Sequence, residues 1–231
     1  MKKVLFGMIV CTLLLVSCHK DKNSPNNNTK NLSNTPLAKA AYDNNNFGIY
    51  KGVFVGSSGS ILINIYNDGN LGATLVVDGT TLTFTSNSTI TQGQAGTVHF
   101  TSGNDSFDFV VDALGNSQAI NFNISGHPNP SVHIFKELSN SLVRVYEGTF
   151  DGGIFDLVVR SDGSIEGAAK PNGENAFDLN GSIQPNGSVH GAFQDNYNEN
   201  GTFDGTFSGD DINGTWTQSI KNGHWSGHRT L

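Results

Sequence analysis

Apolar and polar residues alternate with a period of two along most of this 231-residue chain. Ile61, Ile63 and Ile65 share one parity, as do Leu82 and Phe84, Val98 and Phe100, and Phe107, Phe109 and Val111. Ile120, Phe122 and Ile124 follow, then Val132 and Ile134. Successive side chains of a strand point to opposite faces, so each set marks the buried face of a strand. Asp68-Gly69, Asp78-Gly79, Gly103-Asn104 and Gly115-Asn116 fall between the sets, and such dipeptides suit tight hairpin turns. Strands recurring about every 11 residues leave no room for the crossovers that parallel pairing needs. The pattern predicts an antiparallel meander without a long amphipathic helix. Short helical turns are expected at residues 37–42 and 135–142.

A five-residue phrase occurs twice, as Tyr50-Lys51-Gly52-Val53-Phe54 and as Tyr146-Glu147-Gly148-Thr149-Phe150. Each copy is followed by an apolar run and an Asp-Gly turn. The repetition divides the chain into two related β-meander units, residues 47–138 and 139–231, each barrel- or sandwich-like. The second unit repeats Gly-x-aromatic at Gly148/Phe150, Gly153/Phe155, Gly191/Phe193, Gly201/Phe203, Gly205/Phe207, Gly214/Trp216 and Gly223/Trp225. Residues two apart in a strand share a face, so each glycine leaves a vacancy beside a ring. A ring from the next strand fills such a vacancy, and glycine lets the strand bend as closure requires.

The N-terminus carries a different signal. Lys2 and Lys3 precede an apolar run at residues 4–16, too short to span a bilayer, which takes about 20 residues. The run ends in Leu15-Val16-Ser17-Cys18, which resembles the lipobox of bacterial lipoproteins. That resemblance implies removal of residues 1–17, lipidation of Cys18 and a membrane-anchored protein of the cell envelope. His19 stands where many inner-membrane lipoproteins have Asp, which implies the outer membrane. Residues 18–46 follow, with nine Asn between His19 and Asn46, and are expected to form a disordered tether of about 30 Å span. Two further resemblances lie in the body. Tyr146-Glu147-Gly148-Thr149-Phe150 is similar to the opening of a MORN repeat, a glycine-rich hairpin unit. Asn213-Gly214-Thr215-Trp216 resembles the Gly-x-Trp of the calycin barrels, and Gly223-His224-Trp225-Ser226-Gly227 resembles the C-terminal hairpin of glycine-rich bacterial lipoproteins. These imply hairpin-built barrels. Calycins carry their motif in the first strand, so no ligand residue is transferred from them.

Charge narrows the function. Only 14% of residues are charged and the formal net charge is -7, which gives no grip on nucleic acid. Of the two cysteines, Cys11 leaves with the signal and Cys18 takes lipid, so thiol catalysis, disulfides and thiolate metal sites are excluded from the mature body. No cofactor is expected. His224 and His228 lie about 13 Å apart on a strand, too far to share a metal. His99, His133 and His190 are expected to face solvent. The stretch 196–207 has oxygen side chains spaced like a Ca²⁺ loop but ends in Phe207 rather than Glu, and reads as a polar hairpin. Asp151, Asp156, Glu166, Asp178 and Asp204 are the carboxylates available to a glycosidase-like hydrolase, the weakest of three readings. The leading reading is a non-catalytic ligand- or glycan-binding module with Trp216 and Trp225 as its candidate binding residues, or else as core. The second is a carrier of a small hydrophobic ligand, with a cavity lined by Phe107, Phe109, Phe122 and Ile124.

Overall fold

The structure, a computed structural model, describes residues 32–231. The signal segment, Cys18 and the first part of the tether lie outside the described residues. The first unit holds strands β1 (Gly48–Val55), β2 (Gly59–Ile65), β3 (Leu71–Val77), β4 (Thr80–Thr85), β5 (Gly96–Ser102), β6 (Asp105–Val111), β7 (Ser117–Asn123) and β8 (Ser131–Glu137). The second holds β9 (Arg144–Phe150), β10 (Gly153–Val159), β11 (Ser164–Pro171), β12 (Phe177–Ile183), β13 (Ser188–Gln194), β14 (Asn200–Ser208), β15 (Asp211–Gln218) and β16 (Lys221–Arg229). The protein is all-β, an antiparallel meander of two eight-stranded, barrel-like sheets. In the first, β8 returns to pair with β1 and the sheet stays open between β7 and β8. In the second, β16 pairs with β9 and the barrel closes.

The alternating positions face inward as the period of two demands. Ile61, Ile63, Ile65, Phe100, Phe107 and Phe109 are fully buried. At Asp78-Gly79 both residues take positive φ, +48° and +73°, the type I′ geometry that matches the twist of the flanking strands. One strand departs from simple alternation. A bulge at Ser106/Asp108, with Asn121 at φ +54°, shifts the face of β7. Ala119 packs inward, Ile120 lies opposite Asp108, and Phe122 and Ile124 turn in again. Residues 135–142 form no helix: they continue β8 and then make a tight turn closed by Leu138 and Ser141. A 3-10 turn spans Ala40–Tyr42.

Residues 33–46 are not a disordered tether. Asn46 is fully buried and its side chain bonds the backbone of Thr91, Gly93 and Gln94. Leu37 N–H donates to Glu137 (2.6 Å), and Lys39 N–H donates to Asn67 (2.9 Å). Arg229 bonds Ser33 and Asn34. Composition registers the lack of apolar area here, but these Asn side chains order the segment by satisfying backbone groups.

The two sheets meet through Val53, Val55, Val143, Val145, Val158 and Ala168. Two polar features sit in this contact. Lys51 pairs with Glu137 at 2.5 Å, both buried, and Glu137 also accepts from Val143 N–H. Asp156 is fully buried without a cation. It accepts from Gly59 N–H (3.0 Å) and the Ser58 hydroxyl (2.9 Å) on the β1–β2 turn, and stands across the ladder from Glu147. Burial, with the charges of Glu147 and Asp78 added, holds its carboxyl well above the usual carboxylate range.

Two predictions follow from these contacts. A Cβ at Gly191 would lie 2.1 Å from the Phe203 ring, whereas one at Gly72 meets nothing nearer than 3.5 Å. Urea unfolding should show Gly191→Ala destabilised by about 2–3 kcal/mol and Gly72→Ala changed by less than about 1 kcal/mol. Equal effects would mean that ring-over-glycine packing does not govern closure. Asp156 has a raised native pKa, so its protonated form stabilises the fold at low pH and that contribution is lost as pH rises through the native value. The melting temperature of Asp156→Asn should therefore exceed the wild type's at pH 8, and the gap should close toward pH 5. A gap independent of pH would refute the buried-acid account.

Candidate functional site

Several inward positions of the second barrel are glycines, and the rings of Phe150, Phe155, Phe193, Phe203, Trp216 and Trp225 each lie over one or more of them. Cβ atoms built on Gly148, Gly201 and Gly214 would strike Phe155, Phe193 and Trp225 at 2.4, 2.2 and 2.5 Å. Closure thus presses ring edges against bare backbone at these positions. The space they leave is a cavity of about 590 Å³ open at one end, within the range of small-molecule sites.

Its floor is Leu157, Ala169, Leu179, Phe203 and Trp225. Its walls are Phe150, Phe155, Phe177, Phe193 and Trp216. Phe177 stacks on Phe193 with centroids 5.4 Å apart, and Trp225 takes Phe155 and Phe203 edge-on at 5.7 and 6.3 Å. The loops after β9, β11, β13 and β15 share this end, as alternate loops of a meander must. They place Asp151, Glu174, Asp195, Tyr197, Glu199 and Lys221 around the mouth. Gln218 braces the rim by donating to Asp195 (2.8 Å) and to the Glu199 carbonyl (3.2 Å). Desolvation alone would raise the Asp195 pKa, but bonds from Glu199 N–H, Gln218 and Tyr197 N–H, with the Lys221 charge, hold it below its ordinary value.

Trp216 and Trp225 both line this cup, on adjacent strands. Trp225 is 5% exposed and donates to the Thr215 carbonyl at 3.0 Å, so it is core and cavity wall at once. Trp216 is half-buried, and its indole N–H is buried without an acceptor. The carrier cavity expected in the first unit is not formed by the residues named for it. Phe107 stacks on both Phe100 and Phe122 at 5.1 Å, and Phe109 packs on Tyr50 at 4.9 Å, so these rings fill the interior themselves.

The candidate carboxylates do not converge. Asp156 is buried between the sheets, Asp151 is at the mouth, Glu166 pairs with Arg160 at 3.2 Å, and Asp204 with His190 at 2.6 Å. Asp178 lies 3.3 Å from His133, which is half-buried at the contact between the sheets rather than facing solvent. His99 is exposed and pairs with Asp108. His224 and His228 are exposed on β16. Residues 195–200 form the β13–β14 hairpin turn, held by Asp195. Among the described residues no group of three or more His, Cys, Asp or Glu is arranged to hold a metal.

Sequence reasoning marked most of the cup's rings through the Gly-x-aromatic pattern, but it missed Phe177 and the acidic rim. The parity of the loops was the signal that could have found the rim. The different burial of the tryptophans sets an expectation for chemical unfolding. Trp225→Ala should cost about 3–5 kcal/mol, and Trp216→Ala less than about 2 kcal/mol. Equal costs would show that Trp216 is as much a part of the core as Trp225.

Compared with protein-family models, with curated proteins and with solved structures, the chain gives no significant match, so the function is argued from this geometry.

Proposed function

We propose that this is a non-catalytic binding protein whose second barrel is a cup for one small, mainly apolar ligand, anchored in the outer membrane of the cell envelope by lipid on Cys18. The carrying observation is the ring-lined cavity of about 590 Å³ with a polar mouth. Apolar walls and a few polar groups at one end are what small-molecule sites consist of. This favours the hydrophobic-ligand reading over glycan binding. Sugar rings stack on exposed aromatic faces, and Trp225 has almost none to offer. Hydrolysis is disfavoured because, of the five carboxylates named for it, only Asp151 reaches the cup. The anchor rests on the lipobox-like Leu15-Val16-Ser17-Cys18 alone.

The test is titration of the full-length protein with N-phenyl-1-naphthylamine, an apolar dye uncharged at neutral pH, and separately with a chito-oligosaccharide. The dye should quench tryptophan fluorescence at a single site, and the sugar should leave it unchanged. Ala169 lies in the cup floor, so Ala169→Leu should weaken the dye by about tenfold through lost volume. A sugar response with no dye response would return the glycan reading to first place.

A further inference from the structure

We propose that the cup takes a cationic amphiphile: a small molecule with an apolar or aromatic body and one protonated amine or quaternary ammonium, which stays at the mouth. This rests on the reading of the cup as a ligand site and adds the ligand's charge to it.

The observation is a separation of chemistry with depth. The floor and walls are carbon apart from the Trp216 indole N–H, and no charged side chain lines them. The mouth carries four carboxylates, Asp151, Glu174, Asp195 and Glu199, against the single ammonium of Lys221. The acids come from three different loops, so they surround the opening rather than share one turn. Two of them are committed: Asp151 accepts from His224 N–H at 2.7 Å, and Asp195 holds its own hairpin turn and Gln218. Among the described residues Glu174 and Glu199 make no side-chain hydrogen bond and no ion pair, and are left to act on what enters.

Carboxylates on hairpin tips are ordinary when solvated. Here they ring an apolar hole, and low-dielectric walls lined by one sign of charge focus the field into the opening. Aromatic faces add to it, because the negative face of a ring attracts a cation within about 6 Å of its centroid. Phe177 and Phe193 present stacked faces in the wall. A fatty carboxylate would cross the same acidic rim and find no cationic partner below it. Tyr197 and Ile220, 71% and 94% exposed, stand on the loops of this end and give the apolar body a first contact.

The test uses three probes with one body: 1-naphthylmethylamine, 1-naphthylmethanol and 1-naphthoate. Each is titrated calorimetrically into the full-length protein at low salt and again at high salt. The amine should bind about tenfold more tightly than the alcohol at low salt, with the carboxylate weakest. High salt should shrink the amine's advantage, because exposed charges are screened. Glu174→Gln with Glu199→Gln should cut it several-fold and leave the alcohol unchanged. Equal affinity for amine and alcohol, or a preference untouched by salt and by the double substitution, overturns the proposal but keeps the apolar cup. Binding of none of the three probes overturns the cup as well.

Discussion

The second barrel depends on rings lying against bare backbone. Eight short strands can close on themselves only if neighbouring chains curve tightly, and a side chain at every inward position would hold them apart. Glycines at 148, 191, 201, 205 and 214 remove that obstacle, and Phe155, Phe193, Phe203 and Trp225 occupy the space released. Each glycine in a strand costs roughly 0.5–1 kcal/mol relative to Ala, and the area buried by a ring offsets more than that. One end of the barrel stays unfilled, as the cavity of about 590 Å³.

The contact between the sheets joins opposite kinds of polar burial. Lys51 and Glu137 form a paired, hydrogen-bonded ion couple that also fixes Val143 at the crossing from β8 to β9. Removing either partner would strand a charge in the interior. Asp156 has hydrogen-bond donors but no cation, and a second carboxylate, Glu147, stands beside it. Burial pulls the Lys51 ammonium below its ordinary value against the hydrogen bond and charge of Glu137, and burial holds the Asp156 carboxyl above its own.

Much of this fold was legible because a strand's parity is a local property. The inward faces of β2, β5 and β6 can be read directly from Ile61 to Ile65, Val98 to Phe100 and Phe107 to Val111. Parity fails where the backbone changes hand. At Asn121 a single positive φ moves Ile120 off the inner face, and nothing in the residue types announces the bulge. Residues 33–46 were misjudged for a different reason. Their order comes from directional bonds made by Asn34, Asn45 and Asn46, which composition cannot count. The cup itself was half visible. The Gly-x-aromatic pattern marks the rings, but whether rings meet at the axis or lie on the wall depends on which strand faces which.

That difference separates the two copies of the repeated phrase. Tyr50 and Tyr146 are both fully buried, and the glycine two residues on admits the neighbouring strand in both: His133 O at Gly52, Ser226 O at Gly148. The phenylalanine that ends the phrase diverges. Phe54 is sealed by Phe122 and His127, and the interior beside β1 is filled by Phe100, Phe107 and Phe109 together with Ile61, Ile63 and Ile65. Phe150 stands half-exposed opposite Trp216, in a wall of rings and glycines. The shared Tyr, Gly and Phe of the phrase therefore sit in a filled interior in the first sheet and beside an open cavity in the second. The first barrel supplies the turn that buries Asp156 and the Glu137 that fixes Val143, which is the work of a support. The second leaves its chemistry at an open end, and the recognition we propose is assigned there.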